Sequence, residues 1–175
     1  MNNIHDYAFV HHNVIIGKNV TIGAYSVIGT EAEIKEDIKD NSCPGGRVII
    51  GDNTVIREHV TIHASRHPNE WTIIGNNCYI QAKAHIGHDA VLSDNVTLAC
   101  FACVGGHTRL HEYVNMGLGS VTHQGTTIYK GTMLGANAFA KGILEEWSVY
   151  VGTPAKRIKS NDYLINKLKG DEATR

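Results

Sequence analysis

The sequence predicts an all-β solenoid, a triangular coil of very short parallel strands closed by a short C-terminal helix. Three observations carry that expectation. Aliphatic residues recur at every sixth position, a small or β-branched residue follows most of them by four, and Asn or Asp often falls between the two. A period of six is neither the 3.6 of an amphipathic helix nor the 2 of a half-buried strand. It fits a prism with a short strand on each side, a turn at each corner, and roughly 18 residues per revolution. One aliphatic and one small side chain per hexad then point inward, and strands of successive coils pair at about 4.8 Å.

The first run is Ile4, Val10, Ile16, Ile22, Ile28 and Ile34. From Ile34 to Ile50 the step is then 16 residues instead of 18, across Glu36–Arg47 with its Pro44-Gly45-Gly46. Ile50, Ile56 and Ile62 restore the spacing. The count is kept to Ile74, but His67, Pro68, Asn69, Glu70 and Trp71 are unlike the repeat. Loops are therefore expected near 36–47 and 64–72, and loops on a rigid scaffold are where substrates are usually held. The last run is Ile74, Ile80, Ile86, Leu92, Leu98, Val104, Leu110, Met116, Thr122, Ile128, Leu134 and Ala140. Ten of these twelve are Ile, Leu, Val or Met, which make up 44 of 175 residues, so chance would place about three. Corner pairs such as Lys18-Asn19, Asp52-Asn53, Asn76-Asn77 and Asp94-Asn95 use the tolerance of Asn for left-handed backbone. The coil is expected over residues 1–159. Beyond it, Leu164, Ile165 and Leu168 have helical spacing within Asp162–Leu168, capped by Ser160 or Asn161, so 160–175 reads as a closing helix and tail.

Composition narrows the function. Sixteen Lys and Arg against 17 Asp and Glu leave no basic field, which argues against a nucleic-acid partner. No apolar run reaches the ~20 residues of a membrane span, and Met1–Asp6 is too polar for a signal peptide. Four Cys are too few for a disulfide scaffold, so a cytoplasmic setting is expected.

Eleven His are the compositional excess. With equivalent points one revolution apart, Ile86, Val104 and Thr122 lie one above another. His88, His107 and His123 follow these by two, three and one residues, and His85 precedes the same turn. A row of outward imidazoles about 5 Å apart has no packing purpose, and imidazoles either transfer protons or bind metal. Cys100-Phe-Ala-Cys103 is a C-x-x-C without a second pair, so it does not make a zinc site. Gly117-Leu-Gly-Ser120-Val lacks the G-x-S-x-G elbow of a serine nucleophile.

The six-residue pattern resembles that of the hexapeptide-repeat acyltransferases, which implies a left-handed parallel β-helix over about residues 4–157. The stretches Ile56-Arg-Glu-His-Val-Thr-Ile-His63, Ala84-His85-Ile-Gly-His88-Asp89, Val104-Gly-Gly-His107 and Ser120-Val-Thr-His123-Gln124 resemble the UDP-N-acetylglucosamine O-acyltransferases of lipid A synthesis. That resemblance implies His88 as general base, and Asp89 or a backbone carbonyl is expected to orient it. It implies His63, His85, His107 and His123 along the substrate cleft, with Asp37 and Lys39 contacting the sugar nucleotide. A cleft glycine, Gly106, is expected to offer its N–H to the oxyanion. The ending Val151-Gly-Thr-Pro-Ala-Lys156-Arg157 instead resembles acetyl-CoA-dependent sugar acetyltransferases, whose Lys and Arg lie near the coenzyme phosphates. The combined expectation is a homotrimeric acetyl- or short-acyltransferase that uses acetyl-CoA, acts on a nucleotide-linked sugar and needs no metal. Two alternatives stand beside it. One is an acyl-carrier-protein-dependent O-acyltransferase. The other is a metalloenzyme resembling γ-class carbonic anhydrase, whose three-His zinc set His85/His88 and His107/His111 match poorly in spacing.

Overall fold

The computed structural model describes residues 1–31 and 46–173. The chain winds as a left-handed parallel β-helix. Among the described residues, three sheets of nine, seven and seven strands form the sides of the prism. The first side runs from Asn3–Ile4 to Ser148–Val151, the second from Phe9–Val10 to Phe139–Ala140, and the third from Val14–Ile16 to Ile143–Leu144. Most strands are two residues long, because each corner reclaims the chain after one outward and one inward side chain. The inward member is the aliphatic of the repeat. Ile22, Ile28, Ile56, Ile62, Ile86, Leu98 and Met116 are sealed from solvent, and so are the small residues that follow by four, such as Cys78, Ala84, Ala102 and Val114.

Corners turn at the third residue after most of the aliphatics, where φ is positive. Asn19, Asn53, Asn77 and Asn95 do so on one edge, but so do Tyr25, His59, Lys83 and Phe101 on another, and Asp89 and His107 on the third. The stack evidently imposes the left-handed conformation even where the side chain opposes it.

Strand pairing locates the two breaks in the repeat. Ile16 pairs with Ile50, and Ile22 with Ile56, so the position after Ile28 on the third side belongs to Ile50 and not to Ile34. The first break is therefore an insertion of 16 residues, not a step shortened by two. Ile34 and the segment 32–45 lie outside the described residues. Similarly, Ile50 pairs with Ile74 and Ile62 with Ile86, an offset of 24 residues that exposes a second insertion of six. Trp71 and Thr72, expected in that loop, already belong to the strand Trp71–Ile74, and Arg47 opens the strand Arg47–Ile50. Both insertions leave from the edge between the second and third sides.

At the C-terminal end, Lys156–Ser160 pairs antiparallel with Ser148–Val151, an edge strand the repeat did not foretell. The helix Asp162–Ala173 follows. Asn161 donates its side-chain N–H to the Gly131 carbonyl at 2.8 Å and ties the helix start to the last coils.

Candidate active site

The edge that carries the insertions also carries His88. The strand His85–Ile86 ends in Gly87, and Asp89 turns the corner with φ +60°. His88 Nδ1 lies 2.7 Å from Asp89 Oδ2. A carboxylate only accepts, so Nδ1 carries a proton, and in the neutral ring this leaves the lone pair on Nε2. Asp89 is clamped from the inserted loop: buried Ser65 donates its hydroxyl to Oδ1, and the Arg66 N–H approaches Oδ2 at 3.4 Å. The Asp89 N–H in turn donates to Thr72 Oγ1 at 2.9 Å. Burial alone would raise the Asp89 pKa, but the bonds from Ser65, His88 and Arg66 outweigh it and hold the group below the usual carboxylate range.

Gly106 faces the base. A Cβ there would fall 2.7 Å from His88 Nε2, so only glycine lets the imidazole occupy its place. A Cβ on Gly87 would likewise sit 2.7 Å from the Gly106 nitrogen. Among the described residues no acceptor takes the Gly106 N–H, which is left available beside Nε2. His107, half-exposed, stacks edge-on against His88 with ring centroids 5.0 Å apart, its Nε2 3.7 Å from Asp89 Oδ2.

A cavity of about 420 Å³ opens along the second side, lined by Thr61, His63, His85, His88, Gly106 and Gln124 among others. His85 is a strand residue on the outward row of that side, registered between Thr61 and Cys103. Its Nδ1 lies 2.8 Å from Thr61 Oγ1, and its ring meets His63 edge-on at 4.7 Å.

Not every expected residue joins them. His123 points its Nδ1 at the Gln124 carbonyl, 3.0 Å away, and it is Gln124 that lines the cavity. Asp37 and Lys39 lie outside the described residues. Lys156 and Arg157 stand in the antiparallel edge strand of the first side, five strands from Tyr79–Ile80 and thus about 24 Å along the axis from the His88 coil. Arg157 is engaged there with Ser148 Oγ at 2.8 Å and Glu145 Oε2 at 3.6 Å.

Of the residues considered as metal ligands from spacing, His111 stacks on Tyr129. Among the described residues, His88, Asp89 and His107 do present ligand atoms within 4.8 Å of one another. Asp89 Oδ2, which such a site would share, is already held by His88 Nδ1. Ser65, in the inserted loop, and Thr72, in the strand that follows it, escaped sequence reasoning because a hydroxyl beside an insertion carries no spacing signal.

A prism of six-residue turns with a His–Asp pair at one edge defines a hexapeptide-repeat transferase. The family model for the bacterial transferase hexapeptide (six repeats) matches residues 2–34. An acyl-[acyl-carrier-protein]–UDP-N-acetylglucosamine O-acyltransferase from Pseudomonas putida is 34% identical over 193 residues, covering 82% of this chain and 75% of that protein. The chain belongs to this O-acyltransferase family. The Campylobacter concisus relative of the same name is 33% identical over 162 residues, covering 81% of this chain and 61% of its own length. The chain thus spans about three fifths of that relative. In fold it is similar to the UDP-N-acetylglucosamine acyltransferase of Bacteroides fragilis (TM-score 0.87, 22% identity, 95% of this chain and 64% of that one). It is also similar to perosamine N-acetyltransferase of Caulobacter crescentus, solved with CoA and GDP-perosamine (TM-score 0.59, 21% identity, 91% and 57%).

Proposed function

We propose that the chain transfers an acyl group from a thioester to a hydroxyl or amine of a nucleotide-linked sugar. The observation that carries this reading is the facing pair of His88 Nε2 and the Gly106 backbone at one end of an open cleft. As the acceptor oxygen or nitrogen attacks the thioester carbonyl, its proton passes to His88 Nε2 and the new C–O or C–N bond forms. Asp89, anionic and clamped, keeps the imidazole in the required tautomer and steadies the imidazolium. The Gly106 N–H donates to the tetrahedral oxyanion. The C–S bond then breaks, and the departing thiolate recovers the proton from His88. His63, His85 and Gln124, which line the cleft, orient the acceptor, and Asp37 and Lys39 are assigned to the sugar nucleotide on their resemblance to the family's motif.

For the donor we favour acetyl-CoA or another short acyl-CoA, with Lys156 and Arg157 at the coenzyme phosphates, in a homotrimer. The names of the O-acyltransferase relatives favour an acyl-carrier-protein donor as the second reading. Both donors end in the same phosphopantetheine arm, so the chemistry at His88 is common to them.

The deciding experiment is turnover with acetyl-CoA and with acyl-carrier-protein thioesters against a panel of nucleotide sugars. His88→Ala should lower kcat by ~10²–10⁴-fold, the usual worth of a general base, with the assembly intact. Near-normal turnover by a folded His88→Ala protein would remove the reading.

A further inference from the structure

The catalytic edge has two flanks. The cleft on the second side reaches His88 from one direction. On the third side, a separate groove of about 640 Å³ reaches His107 and Asp89 from the other. It is lined by Trp71 and His67 from the loop side and by Ile73, Val91 and Arg109, which share one register row of the third side. Trp71 is fixed in place: Arg47, its neighbour across the strand pair, lies over the indole at 5.2 Å from the ring centroid. Arg109 occupies the outward row of the third side between Val91 and Thr127, and among the described residues it forms no ion pair.

The groove combines a fixed aromatic wall with a guanidinium that has no carboxylate of its own. Two carboxylates also line it. Asp89 is already matched by Ser65, Arg66 and His88, and Glu70 is exposed at the loop. An indole recognises a flat, delocalised ring, and a free guanidinium recognises a phosphate through paired N–H donors. We propose that this groove binds the phosphorylated nucleoside portion of one substrate, its base against Trp71 and its phosphate on Arg109. This rests on the transferase reading and extends it. A ligand in the groove and one in the cleft would meet at the His88–His107 edge.

Nucleotide sugars and coenzyme A both carry a phosphorylated nucleoside, so the test has two arms. Trp71 and Trp147 are the two tryptophans of the sequence, which makes intrinsic fluorescence a local probe. The protein is titrated with UDP in one arm and with adenosine 3′,5′-bisphosphate in the other. Saturable quenching is expected in one arm, lost in Trp71→Phe and kept in Trp147→Phe. Arg109→Ala should weaken binding about tenfold or more, and Arg109→Lys less, since the charge remains but the paired donors do not. Quenching by UDP assigns the groove to the acceptor, and quenching by the bisphosphate assigns it to the donor. No quenching in either arm, or an unchanged Kd in folded Arg109→Ala, overturns the proposal. Acyl transfer without Trp71 quenching would sink the groove alone, whereas quenching without acyl transfer would sink the transferase reading alone.

Discussion

Gly106 and His88 are mutually exclusive with any side chain between them: a Cβ on Gly106 would stand 2.7 Å from Nε2 and 2.8 Å from Cε1 of the imidazole. The closeness comes from parallel stacking, which brings the corner after Val104 directly beside the corner after Ile86.

Gly106→Ala should therefore displace the base without unfolding the coil. We expect kcat to fall by about 10²-fold, the lower end of what a general base supplies, while thermal unfolding stays near that of the parent. A variant with parental kcat would show that His88 does not act from this position.

The Asp89 clamp predicts a specific acid dependence. A carboxyl whose folded pKa is depressed contributes stability above its unfolded pKa, about 3.9, and that contribution is lost as pH falls through the folded value. Asp89 is depressed by Ser65, His88 and Arg66 against the opposing effect of burial. The stability difference between the parent and Asp89→Asn, measured by denaturant unfolding, should thus be full at pH 7 and shrink below pH ~4. A difference that is flat with pH would mean that the clamp does not bind the charged form preferentially.

Lys156 and Arg157 test the donor. Each charge-assisted contact to a partly exposed phosphate is worth roughly 1–2 kcal/mol, so replacing both with Ala should raise the KM for acetyl-CoA about tenfold or more and flatten its salt dependence. The acceptor KM should barely move. Because Arg157 also bonds Ser148 and Glu145, Lys156→Ala alone is the cleaner variant. An unchanged KM for CoA together with rapid turnover of acyl-carrier-protein substrate would transfer the donor assignment to the carrier protein.

Metal removal is the fourth test. Dialysis against a strong chelator should leave acyl transfer unchanged, since the proton transfers need only His88 and Asp89. Activity lost on chelation and restored by zinc alone would instead assign His88, Asp89 and His107 to a metal.

The repeat was legible in the sequence because its periodicity is the core itself: residues six apart, from Ile74 through Leu110, are all sealed. Counting alone could not read the insertions. Six extra residues after Ile62 preserve a period of six, so only strand pairing shows that Ile74 sits one side further on instead of two. Turn chemistry was legible where Asn sits at the corner and illegible at Tyr25, Lys83 or Phe101, where stacking overrides propensity. His88, Asp89, His107 and Gly106 could be found because the repeat places them one revolution apart. Ser65 could not, since its bond to Asp89 spans 24 residues across an insertion. Ile4 illustrates an end effect: it fits the pattern, yet it is 39% exposed because the first coil has a neighbour on one side only.

Both insertions leave the prism at the edge that holds His88, and apart from a register shift between Ile28 and Thr30 the coils they interrupt stay paired. That separation makes the edge a place where specificity can be rewritten cheaply in evolution. Segments of different length and chemistry can be exchanged between Glu31 and Gly46, or between Arg66 and Trp71, while the sealed ladder of aliphatics and the Ser65 and Arg66 bonds to Asp89 continue to fix the base. Lineages sharing this coil are thus free to diverge in what they modify while conserving how they modify it, and chimaeras exchanging only these two segments offer a direct route to new acceptors.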